Sequence, residues 1–380
     1  MMIEIRKANF VNKGAELMLF AILEKLKEHY PDAKFCMPAD FSMTPYQKRA
    51  KLGLYQKAEL FKFGIQWGSL FGFLPQRIRK MYGLVLEKEV DIVINAAGFA
   101  YSDQWGYYKT YRLNRLIKRW KQNNSKVILL PQAFGPFKSK KMRNAIKEII
   151  DKADLTYARE EISYDYLKEI VGDKDNVKLS PDFTNLVTGI VPENFDRENN
   201  KFCIVPNYRM IDKTSKEESD AYLPFMIKCA KYLKEKGQKP FILVHEGEND
   251  LILAQNMSDA IGGIPIVKET NALNIKGILG VAEGTIGSRF HGLVSALSQG
   301  VPSLATGWSH KYQMLFKEYG FSDGIMNVLM NDEDLYKKID LILEVNSKRK
   351  IYDTLQKNSK ILKTSSEQMW EEVFKLIDSK

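Results

Sequence analysis

Short runs of β-branched and apolar residues alternate with longer stretches of helical periodicity along most of this chain. That alternation constrains the fold more than any other feature, because it specifies stacked strand–helix–strand units around a mainly parallel sheet. In the first half the pattern predicts strands over 3–6, 92–95, 127–130, 155–158 and 177–179. Helices are expected over 14–28, 110–123, 140–153 and 163–170, where apolar residues recur at three- and four-residue spacing. A second series follows: strands in "KFCIVPNYR", "KPFILVHEGEND" and "IPIVKE", and helices over 220–236, 251–261 and 274–281, then "GTIGSRFHG" read as a strand. The Pro, Gly and Asn of "VTGIVPENFDRENN" mark a linker. The expected organisation is an α/β domain over 1–187, a linker over 188–200, a second α/β domain over 201–345 and a helical tail over 346–380. Two Rossmann-like domains would face a cleft, since open α/β sheets bind ligands at the carboxyl ends of their strands. Residues 42–88, rich in Phe, Tyr, Gly and Lys, fit none of these units and read as a flap.

Composition narrows the function. A formal charge of +10 favours anionic partners. Nucleic acid is not expected, because the lysines are spread over many helices rather than gathered in a stripe with aromatics. Three cysteines far apart, Cys36, Cys203 and Cys229, read as reduced thiols, and neither a signal-peptide core nor a membrane-spanning apolar run is visible. The expected location is cytoplasmic, with contact at the inner face of a membrane left open by the basic surface and by "FGIQWGSLFGFLPQRIRK". The sequence says nothing of oligomeric state.

The chemistry-bearing groups stand at strand ends. Read as a strand, "GSRFHG" points Arg289 and His291 to one face and Phe290 into the core. Arg289 offers a planar fork of donors for phosphate or carboxylate, and His291 moves a proton near neutral pH. A buried ion pair and a structural histidine are the bland readings, and residue types alone do not decide. In "YAREEISYDYL", Arg159 follows a strand and Ser163 suits a helix cap; in "LSPDF", Asp182 follows another strand as a cleft carboxylate or a turn residue. His245, in the acidic "VHEGEND", reads as a solvated loop or a polar substrate contact rather than a metal ligand. Glycines beside strand ends in "NKGAE", "NAAGFAYSD" and "PQAFGPF" serve turns or close approach to a ligand. No nucleotide-binding glycine fingerprint, nucleophile elbow or HExxH motif is present.

Taken together, "NKGAELML", "PQAFGPF", "AREEISYDYL", "LSPDF", the His245 loop and above all "IGSRFHGLVSALSQGVPSLATGWSHKYQMLFKEYG" resemble the polysaccharide pyruvyl transferase family. The first motif departs from the family's usual Gly-Asp, reading Gly14-Ala15-Glu16, and the glycine turn at Gly98 is thinned. The resemblance implies a fold similar to GT-B glycosyltransferases, with the first domain as acceptor side and the second as donor side. It implies phosphoenolpyruvate as donor substrate, no cofactor or metal, and a sugar acceptor, free or lipid-linked, in a capsule, cell-wall or exopolysaccharide unit. Pyruvate would be installed as a ketal with release of phosphate. His291 is then the expected acid/base, with Asp182 orienting it or binding an acceptor hydroxyl. Arg289, Arg159 and Lys311 are the expected anion contacts, and Gly14, Glu16, Gly98, Gln132 and His245 further substrate contacts. The competing expectations are a glycosyltransferase using a nucleotide sugar and a non-catalytic glycan-binding protein.

Overall fold

The computed structural model describes residues 1–40, 42–62 and 65–379, which form two compact units: Met1–Phe183 with Ser365–Lys380, and Thr184–Thr364. Strands of the first unit are β1 (Met2–Arg6), β2 (Lys34–Pro38), β3 (Tyr55–Lys57), β4 (Phe61–Lys62), β5 (Ile65–Gln66), β6 (Leu84–Val85), β7 (Ile92–Asn95), β8 (Phe99–Tyr101), β9 (Lys126–Phe134), β10 (Leu155–Ala158) and β11 (Val177–Leu179). Its helices are α1 (Lys13–His29), α2 (Tyr46–Lys51), α3 (Gln76–Met81), α4 (Tyr107–Gln122), α5 (Lys140–Lys152) and α6 (Glu161–Val171). The main sheet runs β11-β10-β9-β7-β1-β2-β3-β6, all parallel, with β8 beside the end of β9, and β4 and β5 form a separate antiparallel pair. Every residue of β7 is buried, as a strand covered on both faces requires. Helix starts are set locally: Asn12 accepts from the Ala15 amide at 2.9 Å, and Ser139 from that of Met142 at 3.2 Å.

The second unit holds β12 (Phe202–Val205), β13 (Pro240–Val244), β14 (Ile266–Lys268), β15 (Gly284–Gly287) and β16 (Ser303–Ala305). They order as β14-β13-β12-β15-β16, all parallel, with the first strand central. Around them lie α7 (Arg209–Asp212), α8 (Lys216–Glu235), α9 (Gly247–Ala260), α10 (Ala272–Val281), α11 (Phe290–Leu297), α12 (Lys311–Glu318) and α13 (Asp332–Leu343). Helix α8 opens on a reciprocal cap between Ser215 and Glu218. The final helix, α14 (Val345–Asp378), contributes residues to both units.

Several boundaries differ from the sequence reading. The N-terminal piece of the first unit ends at Phe183, and residues 188–200, expected as a linker, are packed into the second unit. Ile190 donates its amide to Leu273 O at 2.9 Å, and the Phe195 and Phe241 rings lie 5.6 Å apart. Gly189 and Gly277 cross so closely that a Cβ on Gly189 would come within 2.4 Å of the Gly277 nitrogen. The expected tail over 346–380 is a single helix, Val345–Asp378, but it is divided between the two units. Its last part belongs to the first unit, where Trp370 is buried against Phe183 at 6.0 Å. Within 42–88 the structure has short helices and strands rather than a bare flap, although Phe63 and Gly64 of the "FGIQWGSLFGFLPQRIRK" segment lie outside the described residues.

Candidate active site

Strand β15 stops at Gly287, and α11 begins at Phe290 with Arg289 as its extended N-cap. The segment "GSRFHG" is therefore a strand-to-helix turn, and strand alternation does not set its side chains. The apolar residues Phe290, Leu293, Val294 and Leu297, spaced for a helix, are all buried and hold α11 on the sheet. His291 thus stands in the first helical turn, partly buried, while Phe290 goes into the core as expected.

Each nitrogen of the Arg289 guanidinium donates to a carboxylate. Its Nε donates to Asp250 Oδ2 at 2.9 Å, Nη2 to the same oxygen at 2.5 Å, and Nη1 to Glu246. Burial opposes its charge, but Glu246 and Asp250 overcome that and raise its pKa. Burial pushes the carboxyl of Asp250 above its ordinary range, with Arg289 pulling the other way. Both acids come from the segment after β13, where the expected open acidic loop is instead the first turn of α9.

The carboxyl ends of β12, β13 and β15 are laced together around this ion pair. Asn207 donates Nδ2 to Ser288 O at 2.6 Å, and its backbone amide donates to Tyr222 Oη at 2.9 Å. Tyr222 Oη donates to Ser288 Oγ and Tyr312 Oη to Ser288 O, both at 2.9 Å. The buried His245 ring lies over the start of α11, since a Cβ on Gly292 would stand 3.5 Å from its Cδ2 and 3.5 Å from Arg289 Cβ. The Phe290 and His291 rings meet edge to face at 5.4 Å. Lys311 places its ammonium 4.6 Å from the Trp308 ring centroid, 5.2 Å from that of Phe290 and 5.4 Å from that of Tyr312, within cation–π range of three rings. His245, Arg289, His291 and Lys311 are thereby gathered on one side of the second unit. Trp308 and Tyr312 also line a neighbouring cavity of about 570 Å³ with Lys213, Ser215 and Asn327.

In the first unit Gln132, Arg159 and Asp182 come together at the ends of β9, β10 and β11. Arg159 Nη1 donates to Asp182 Oδ2 at 3.2 Å, both side chains nearly inaccessible, and the Arg159 amide donates to Gln132 O at 3.0 Å. The Gln132 side chain is wholly buried, and neither of its polar atoms has a hydrogen-bond partner among the described residues. Ser163 does not cap α6 as expected. Glu160 does, accepting from the Ser163 amide at 3.1 Å, while Ser163 Oγ accepts from the Phe134 amide at 2.8 Å. Glu16 is buried and paired with Lys13 at 2.7 Å, one residue before Gly14. Gly98, at a φ of 60°, approaches Met18 on α1.

Asn207, Ser288, Tyr222, Tyr312 and Trp308 were not singled out from the sequence. The available signal was position: Asn207 and Ser288 each stand just past a strand, in the register where a parallel sheet exposes its ligand-facing ends.

Known structures share the fold. UDP-GlcNAc 2-epimerase from Neisseria meningitidis, bound to UDP-GlcNAc, superposes with a TM-score of 0.61 at 11% identity, over 99% of this chain and 100% of that one. An Anabaena protein in complex with UDP and glucose gives 0.59 at 11% identity over 100% and 99%. MnaA of S. aureus in complex with UDP gives 0.62 at 11% identity over 100% and 98%. At such identity the likeness speaks for the two Rossmann-like units alone. No curated protein matches the sequence. The model of one family does, over residues 12–310, a span that takes in every motif discussed from Gly14 to His291, and the chain belongs to the polysaccharide pyruvyl transferase family.

Proposed function

We propose that the protein moves pyruvate from phosphoenolpyruvate onto two hydroxyls of a sugar in a polysaccharide or its precursor, forming a ketal and releasing phosphate. The observation that carries this reading is the gathering of His291, Lys311 and His245 at the ligand-facing end of the second sheet, in a chain of this family. A proton delivered to the donor's methylene carbon makes it a methyl group and leaves a cation at C2. One sugar hydroxyl bonds to C2 and gives up its proton, which resets the acid. A second hydroxyl displaces phosphate from C2, its proton leaving with the phosphate. His291 is the proposed acid and base. Lys311 supplies positive charge for the donor's anionic groups. Arg289, already held by Glu246 and Asp250, acts as a positioning residue that fixes the start of α11 and the His245 segment. Arg159, Asp182 and Gln132, with Gly14, Glu16 and Gly98, are proposed as substrate contacts of the first unit, which takes the acceptor side. The donor is a substrate, and the reaction as written needs no cofactor.

Phosphate release from phosphoenolpyruvate, measured across galactosides, glucosides and N-acetylmannosaminides with mass spectrometry of the product, tests the reaction. A mass gain of one pyruvate less water is expected on one acceptor class. His291→Ala should lower the rate by about 100-fold or more with the fold retained. Thermal stabilisation by nucleotide sugars and none by phosphoenolpyruvate would favour a glycosyltransferase instead, a reading that the UDP-bound fold relatives make worth the control.

Acceptors attached to lipid would bring the protein to a membrane surface. Among the described residues no helix is long and apolar enough to cross a membrane. The segment from Leu70 to Tyr82, however, exposes Phe73 at 87%, Met81 at 75% and Tyr82 at 76% beside Arg77 and Lys80. An apolar patch flanked by cations suits peripheral contact with an anionic bilayer.

A further inference from the structure

The first unit contains a cavity of about 300 Å³ that none of the candidate residues above lines. It opens at the carboxyl ends of β1, β2 and β7, among Arg6, Pro38 and Asn95. Strand β1 pairs with β2 on one side and β7 on the other, so the strand order reverses there. Such a switch point is where a parallel α/β sheet leaves a ligand crevice.

The wall carries four cations, Arg6, Lys7, Lys109 and Arg112, against two carboxylates, Asp40 and Glu59. Both carboxylates are committed. Asp40 accepts from the amides of Ser42 and Met43 at 2.9 Å and from Ser42 Oγ at 2.8 Å. Glu59 accepts from Arg6 at 2.6 and 3.1 Å and from Arg112 at 2.8 Å. The surplus of positive charge matches a dianion. Lys7 leaves β1 with a φ of 67°, a left-handed backbone unusual for lysine. Strain of this kind gathers where a side chain has work to do. Lys7 is exposed at the cavity wall, and partial desolvation there, with the nearby Arg6, Arg112 and Lys109, lowers its pKa to about 8.

A second observation points to a hydroxylated ligand. Asn95, 1% exposed, donates Nδ2 to Tyr101 Oη at 3.1 Å, while its Oδ1 has no hydrogen-bond partner among the described residues. A buried acceptor on a cavity wall is satisfied when a ligand hydroxyl donates to it. We propose that this cavity binds a phosphorylated polyhydroxy compound with the chemistry of a sugar phosphate, the cations holding the phosphate and Asn95 accepting from a hydroxyl. The inference goes beyond the pyruvyl transfer reading and does not depend on it.

Calorimetric titration of the full chain with glucose 1-phosphate, glucose, glucuronate and inorganic phosphate tests this site. Glucose 1-phosphate should bind at least tenfold more tightly than the other three. Lys7→Asn, which keeps a residue tolerant of left-handed backbone, should weaken that binding at least tenfold without lowering thermal stability. His291→Ala should leave it unchanged, so a failure of the donor reading and a failure of this one give different results. Equal affinity for inorganic phosphate and the sugar phosphate, tighter binding of glucuronate, or unaltered binding in Lys7→Asn would each overturn the proposal.

Discussion

Asp250 is completely buried, and Arg289 and the Tyr208 amide offset the burial that opposes its charge. Asp250→Ala leaves the guanidinium with Glu246 alone and should lower stability of the second unit by about 3 kcal/mol, read from urea denaturation. Glu59 carries a pH signature. Burial opposes its charge, but Arg6, Lys57 and Arg112 overcome that and hold the carboxyl at about 2, against an ordinary 4.5. A depressed carboxyl stabilises the fold above its unfolded value and loses that contribution as pH falls through the folded one. Stability of the first unit should therefore decline from about pH 4.5 toward pH 2, and Glu59→Gln should flatten that decline in acid titrations followed by circular dichroism. Arg289, His291 and Lys311 could be singled out as candidates in the sequence because their motif is local. The partners of Arg289 were not, since Asp250 is 39 positions away and only the pairing of β12 with β13 and β15 brings the two together.

Strands with continuous apolar runs were readable nearly to the residue, as Ile92–Asn95 and Leu155–Ala158 show. Tyr55–Lys57, Leu84–Val85 and Ser303–Ala305 were missed, because two or three residues carry no periodicity and neighbouring strands decide their state. The "GSRFHG" turn was misread as strand for a related reason: the helical pattern that fixes it lies downstream, in Leu293, Val294 and Leu297. The crossing of α10 by the segment after Thr184 is another contact no local pattern announces. A Cβ on Gly277 would stand 2.2 Å from the Ile190 carbonyl, so Gly277→Ala should destabilise the second unit by about 1–3 kcal/mol in thermal melts. The exposed Leu70 to Tyr82 segment predicts sedimentation with vesicles containing phosphatidylserine. Phe73→Ser with Met81→Ser should weaken that sedimentation, and unchanged sedimentation would count against membrane contact.

The overall α/β class and the number of units followed from strand–helix alternation, but the assignment of the C-terminal helix did not. Amphipathic spacing shows that α14 is a helix with a buried face and is silent about which core receives it. Residues 365–380 complete the first unit through buried Met369, Trp370 and Val373, with Glu372 accepting from Tyr157 at 2.6 Å and Lys178 at 2.7 Å. Removing these residues should make the first unit susceptible to limited proteolysis while fragments of the second unit survive. The first unit is thus discontinuous along the chain, with all of the second lying between its two pieces. During synthesis the second unit can close as soon as it leaves the ribosome. The first, although made earlier, must keep the surface beside Phe183 and Tyr157 uncovered until the last helix emerges, so translation order and folding order are opposed in this protein.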